Sequence, residues 1–172
     1  TWLAVVFLST SVMAVMIGLT NEELTKQSSV VVVGSVVDMR AYWNTERTTI
    51  YTGVTIDVRE VVRGEGAPRT LTVRYEGGEV GDIGLRVSDT PQFEKGEDVL
   101  LFLRPIENVA VERASDAAGA FYVVGNGQGK YSIEMNAIAT RGGFSVINDN
   151  KGKVFKNVVP LNELKEQIRG VK

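Results

Sequence analysis

The sequence contains no cysteine and no histidine in its 172 residues. That double absence removes whole classes of chemistry. A Cys/His zinc site cannot be built. A cysteine nucleophile is excluded, and so is any Ser-His-Asp triad, because no imidazole exists to act as base. No thiol is present to carry a lipid, and the fold must hold without disulfides. Clustered positive charge is missing as well. Nineteen Lys and Arg stand against 21 Asp and Glu, for a net charge of −2. Phosphate neutralisation needs a basic stripe, so the charge pattern argues against a nucleic-acid partner. What is present is ordinary globular composition, 44% hydrophobic and 23% charged, enough for one real core. The length fits a single domain.

The N-terminal stretch carries a targeting signal. No charge occurs from Thr1 to Asn21. Trp2 to Leu8 is a short apolar run that Ser9-Thr10-Ser11 interrupts. Val12-Met13-Ala14 then offers the modest side chains that signal peptidase accepts, so cleavage is expected after Ala14, with a charged leading region expected ahead of Thr1. The expected division is a signal peptide over 1–14 and one domain over 15–172. The alternative is a retained anchor, which Ser9, Thr10, Ser11 and Gly18 weaken. Contact with a membrane is expected only through this segment, if it stays uncut.

Beyond it, the pattern is mostly β. Thr20 and Glu23 have capping-box spacing, which predicts a short helix to about Gln27 with Leu24 on the core. Ser29 to Met39 reads as a strand buried on both faces, because Val30-Val31-Val32-Val33 and Val36-Val37 leave no polar phase. Gly34 inside it predicts a bulge or a close backbone contact. Ala41 to Thr49 reads as a polar loop holding Tyr42 and Trp43. Ile50 to Val62 alternates cleanly, with Val54, Ile56 and Val58 inward. Leu71, Val73 and Tyr75 make its hairpin partner across the Gly64 to Pro68 turn. Gly77 to Gly84 is a glycine-rich loop. Val99 to Leu103, Phe121 to Val124 and Lys130 to Met135 are further strands. Phe144 to Ile147 and Lys153 to Val159 read as a hairpin around Asn148 to Gly152. Leu161, Leu164, Ile168 and Val171 recur at helical spacing and predict a closing helix. A weak boundary falls near Ala114 to Gly119. The expected fold is a small five-stranded Greek-key barrel of the oligonucleotide/oligosaccharide-binding (OB) type, with a short N-terminal helix, an extra C-terminal hairpin and a C-terminal helix.

One set of segments carries a resemblance. It comprises Val31-Val32-Val33-Gly34-Ser35-Val36-Val37, Tyr51 to Val58, Val61-Val62-Arg63-Gly64, Gly77-Gly78-Glu79, Phe93 to Glu97, Val99 to Leu103 and Gly129-Lys130-Tyr131. The set resembles a group of uncharacterised secreted bacterial and archaeal proteins, over most of the chain from Leu24 to Tyr131. More remotely, the layout is similar to the netrin-like barrel of tissue inhibitors of metalloproteinases, which implies an OB-type fold. Those inhibitors chelate zinc through an N-terminal cysteine. This chain has none, so that mechanism does not carry over.

Several constellations have both a functional and a purely structural reading. Tyr42, Trp43 and Arg47 fall where an OB-type barrel borders its ligand. Rings stack on sugars or peptides and arginine adds a donor fork; the structural alternative is that Trp43 caps the core. Gln128 and Lys130, beside the Gly125-Asn126-Gly127 cluster, are polar candidates at a strand end, against a turn or bulge. Glu79 and Asp82, with Asp89 nearby, are weak candidates for a hard cation. A glycine-permitted crossing between strands explains the same loop. The loop lacks the Lys and Ser/Thr of a phosphate loop. Asn148, Asn150 and Gly152 faintly match a calcium loop but lack its downstream glutamate, so a turn is expected. Carboxylate or Ser/Lys pairs for hydrolysis remain open, with no local motif selecting one. No cofactor is expected. The sequence reading is a non-catalytic, secreted or envelope binding module for a protein, peptide or glycan. The alternatives are an inhibitor or accessory partner of a secreted enzyme without metal chelation, and a carboxylate-based hydrolase.

Overall fold

The computed structural model describes residues 16–107, 120–142 and 155–172, together with the backbone of 146–147. The expected signal peptide, the weak boundary at 114–119 and the turn cluster at 148–152 lie outside the described residues.

The elements run in chain order as β1 (Met16–Ile17), α1 (Asn21–Gln27), β2 (Val30–Trp43), β3 (Ile50–Arg63), β4 (Thr70–Glu76), β5 (Gly78–Val80), β6 (Ile83–Leu85), β7 (Asp98–Pro105), β8 (Ala120–Val123), a 3-10 turn (Asn126–Gly129), β9 (Lys130–Ile133), β10 (Ile138–Thr140), β11 (Val146–Ile147), β12 (Val158–Pro160) and α2 (Leu161–Gly170). The molecule is mostly β, with an eight-stranded sheet in the order β12-β10-β9-β7-β2-β3-β4-β8. β7 also pairs with β8, so the sheet curls partly into a ring. The β4–β8 contact in that ring is short and parallel, at Thr72–Ala120 and Val73–Phe121.

The unbroken valine run in β2 has a physical reason. Val30, Val32 and Val36 face the ring interior with Val54, Ile56, Leu71, Val73, Val99, Leu101 and Leu103. Val31 and Val33 face the opposite way, into a second core with Leu24, Phe102, Tyr131, Leu164 and Ile168. A strand sandwiched between two cores needs apolar side chains in both phases. Gly34 sits at a register shift of β2 on β3, and a Cβ there would lie 2.5 Å from the Asp57 carbonyl oxygen. Bulge and close approach are thus both present.

The helices follow their signals. Thr20 caps α1 as one half of a capping box with Glu23. α2 buries Leu164 and Ile168, as the spacing predicts. It is held by Lys165 and Arg169, whose cations lie 2.6 Å and 2.8 Å from the Glu60 carboxylate. No helix among the described residues is long and apolar enough to cross a membrane.

Three expectations are corrected. The glycine-rich 77–84 segment is a small antiparallel ribbon, β5–β6, rather than a loop. Gly78, at φ 131°, lets it cross the sheet where a Cβ would lie 2.4 Å from Thr52 Oγ1. Among the described residues the expected C-terminal strands do not pair with each other: β11 pairs in parallel with β1, and β12 pairs with β10. Tyr42 and Trp43 are not in a loop. β2 extends through Trp43, paired opposite Ile50, because alternation continues past Met39.

Candidate functional site

β2 and β3 are the longest strands, at 14 residues each, and their joined ends form a hairpin tip. Asn44 organises that tip. Its Oδ1 accepts from the Thr48 and Thr49 amides at 2.7 Å and 3.1 Å, and its Nδ2 donates to Thr48 Oγ1 at 2.8 Å. The Asn44 carbonyl accepts from the Arg47 amide at 3.0 Å. Arg47 itself adopts φ 55°, a conformation uncommon outside glycine and asparagine. The turn therefore holds the backbone of the exposed Arg47 in a conformation against its intrinsic preference.

Register then sorts the tip's side chains, since residues directly opposite each other share a face. Tyr42 lies opposite Tyr51, and Arg40 opposite Gly53. Arg74 also lies opposite Gly53, across β4, and Glu76 opposite Tyr51. These residues share the outer face, on which Tyr42 is itself buried, only 6% exposed. The Tyr42 and Tyr51 ring centroids are 6.4 Å apart, and the Arg74 guanidinium sits 4.6 Å from the Tyr51 centroid. Trp43 and Ala41 take the other phase, with buried Ile50 and Thr52. Trp43 is half-buried there, covering the end of the core while showing its remaining surface at the rim.

A cleft of about 390 Å³ opens at this tip, lined by Arg40, Tyr42, Trp43, Asn44, Arg47 and Val80 among others. Its lining holds two arginines, two large rings and no carboxylate. A separate cleft of about 460 Å³ lies over Tyr51, Arg74, Pro91 and the exposed Tyr122. Tyr75 borders it, stacked on Phe93 with centroids 6.1 Å apart, and burial raises its phenol pKa. A third, smaller hollow of about 280 Å³ lies beside the β5–β6 ribbon, between Glu79 and Arg86.

The structure brings Tyr42, Trp43 and Arg47 together and separates them from the other sequence candidates. Gln128 is buried, with 1% exposure, in the 3-10 turn. Its Oε1 accepts from the Leu19 amide at 2.7 Å and its Nε2 donates to the Ile17 carbonyl at 3.0 Å. It is a clamp on the N-terminal segment. Lys130 is also engaged, 2.9 Å from the Glu97 carboxylate, 3.0 Å from Ser132 Oγ and 5.1 Å from the Phe93 ring centroid. Both are polar residues next to a glycine, and spacing alone does not tell a clamp from a binding group. Glu79 lies in β5, Asp82 in the ribbon's turn, and the Asp89 carbonyl receives the Gly127 amide. No group of three or more acidic residues gathers as a cation site among the described residues.

Sequence reasoning missed Tyr51, Arg74, Tyr122 and Arg40. Tyr51 and Arg74 occupy the outward phase of the two best-alternating strands, so their polarity was a usable signal. No known protein-family model matches the chain, and no curated protein matches it.

Proposed function

We propose that this chain is a non-catalytic binding module of the cell exterior or envelope, built on an OB-like five-stranded barrel, that holds a protein, peptide or glycan at the β2–β3 tip. The pairing order supports the barrel reading. Going round the ring, β2-β3-β4-β8-β7, the strands read first, second, third, fifth and fourth, with the third and fifth parallel. In that architecture the outer face of the second and third strands and the loop joining the first and second strands carry ligands. Here those are the Tyr51–Arg74 surface and the Asn44–Thr49 turn. The observation that carries the proposal is the convergence of Trp43, Arg40 and Arg47 on one cleft, floored by the buried Tyr42, whose ring neighbours the partly exposed Tyr51–Arg74 pair. Aromatic and arginine side chains are the usual anchors of recognition surfaces.

Trp43 supplies the test. Besides Trp2 it is the only tryptophan in the chain. Protein beginning at Val15 should change its indole emission when titrated with one member of a panel of extended peptides and oligosaccharides. An emission spectrum that no panel member moves argues against the site. Export is tested separately: mature protein from the native host should begin near Val15, and N-terminal sequencing that finds 1–14 intact on membranes overturns the cleavage.

A further inference from the structure

The outer edge of β2 changes character along its length. Val30 to Ser35 pair with β7 on that edge, and Val36 exchanges bonds with Gly96 and Glu97. From Val37 to Trp43 the only strand paired with β2 is β3, and no backbone bond among the described residues reaches its other edge. The phase of that edge follows from the turn. The Asn44 amide bonds the Thr49 carbonyl, so alternation makes Tyr42–Tyr51 a hydrogen-bonded pair and Trp43–Ile50 a non-bonded one. The Ile50 carbonyl confirms this, because it accepts from Gly77 on the side away from β2. The amides and carbonyls of Met39, Ala41 and Trp43 therefore point outward, where an added strand would meet them.

That edge borders the tip cleft, and the cleft is asymmetric. Arg40 and Tyr42 belong to one face, and Trp43, with Ala41, to the other; Arg47 and Val80 also line it. Resting on the binding-module reading above, we infer that the edge takes an extended acidic peptide as an additional β-strand. Main-chain bonds to Met39, Ala41 and Trp43 would supply affinity, and alternate side chains specificity. Carboxylates in one phase of the peptide meet Arg40 and Arg47, and aliphatic side chains in the other phase meet Trp43 and Val80. A second copy of this chain fits poorly, since it would bring its own Arg40 and Arg47 to a lining that has no carboxylate. A glycan has no use for a row of outward amides and carbonyls at strand spacing.

The probe is a peptide of alternating valine and glutamate, about eight residues long to exceed the free edge. Its controls are the valine–lysine counterpart and oligogalacturonate. Binding is followed by titration and by amide hydrogen exchange. The acidic peptide should bind, the lysine peptide should not, and the Met39, Ala41 and Trp43 amides should gain protection. Arg40→Glu with Arg47→Glu, both exposed positions, should weaken the acidic peptide by about tenfold or more. Ala41→Pro removes one outward amide and leaves the bonds to β3 in place, so it should abolish binding. If that variant does not fold, the exchange pattern of the unaltered protein decides. Three results overturn the inference: equal binding of both peptides, acidic-peptide binding with no protection at these amides, or a dimer in sedimentation that Ala41→Pro dissolves. Binding of oligogalacturonate alone overturns the peptide assignment and leaves the binding module standing. Failure of every probe to bind or to move Trp43 emission overturns both.

Discussion

Ile56 and Thr55 are neighbours in β3 with opposite fates. Ile56 is fully buried in the ring interior, while Thr55 is half-exposed on the outer face. Ile56→Ala should therefore destabilise by about 2–5 kcal/mol, and Thr55→Ala by less than about 1 kcal/mol. Denaturant melts of the two variants check this, and equal losses would mean the strand's phase is reversed. Trp43 sits between these extremes. On sequence it was either a stacking platform, whose loss leaves stability almost unchanged, or a core cap, whose loss costs about 3–5 kcal/mol. Half-buried at the ring's end, it falls between the two in burial. Trp43→Ala should lower stability by about 1–3 kcal/mol in a thermal melt, as partial burial implies.

At the scale of elements, legibility followed the strength of the periodic or capping signal. β3 and β4 were readable because their hydrophobic alternation has a single buried face. α1 was readable because Thr20 and Glu23 satisfy each other's backbone. β2 was readable as doubly buried, but its end was not, since nothing local to Tyr42-Trp43 says whether β3 keeps pairing. The β5–β6 ribbon was hidden, because Gly77, Gly78, Gly81 and Gly84 signal backbone freedom and not partner. Pairing between distant segments, such as β1 with β11, left no mark on either one. The same gap concealed the site: Tyr51 and Arg74 lie 23 positions apart, the difference of their numbers, and only register joins them. Gly34 tests register directly. Its missing Cβ would meet backbone, which cannot swing aside, so Gly34→Ala should destabilise by about 1–3 kcal/mol in a denaturant melt.

Across the whole molecule, polar ties join elements remote in sequence. Gln128 fixes the segment entering α1, and Glu60 and Arg63 of β3 anchor α2, with Arg63 Nη1 donating to the Val171 carbonyl at 2.6 Å. Asp98 links three strands, accepting from Ser35 Oγ at 2.6 Å and pairing with Arg59 at 2.9 Å. Partial burial alone would raise its pKa, but the bonds from Ser35 and Arg59, with the arginine's charge, outweigh it and hold the carboxyl below its ordinary value. A carboxyl depressed by folding contributes stability above its unfolded pKa of about 3.8 and loses it as pH falls through the lower folded value. Asp98→Asn should therefore be less stable than the wild type at pH near 6, and the gap should narrow as pH falls below about 4. The group is partly exposed, so the gap is small, and urea melts across that range measure it.

The β2–β3 tip is proposed to bind a ligand, and backbone amide resonances, mapped while the protein is titrated with the valine–glutamate peptide and then with oligogalacturonate, report on that binding residue by residue. The prediction is that one of the two moves a contiguous set comprising Arg40 to Arg47 and Val80, extending to Tyr51 and Arg74, and leaves the α2 resonances in place. Shifts confined to the hollow beside Glu79 and Arg86, or no shift with either probe, would contradict it.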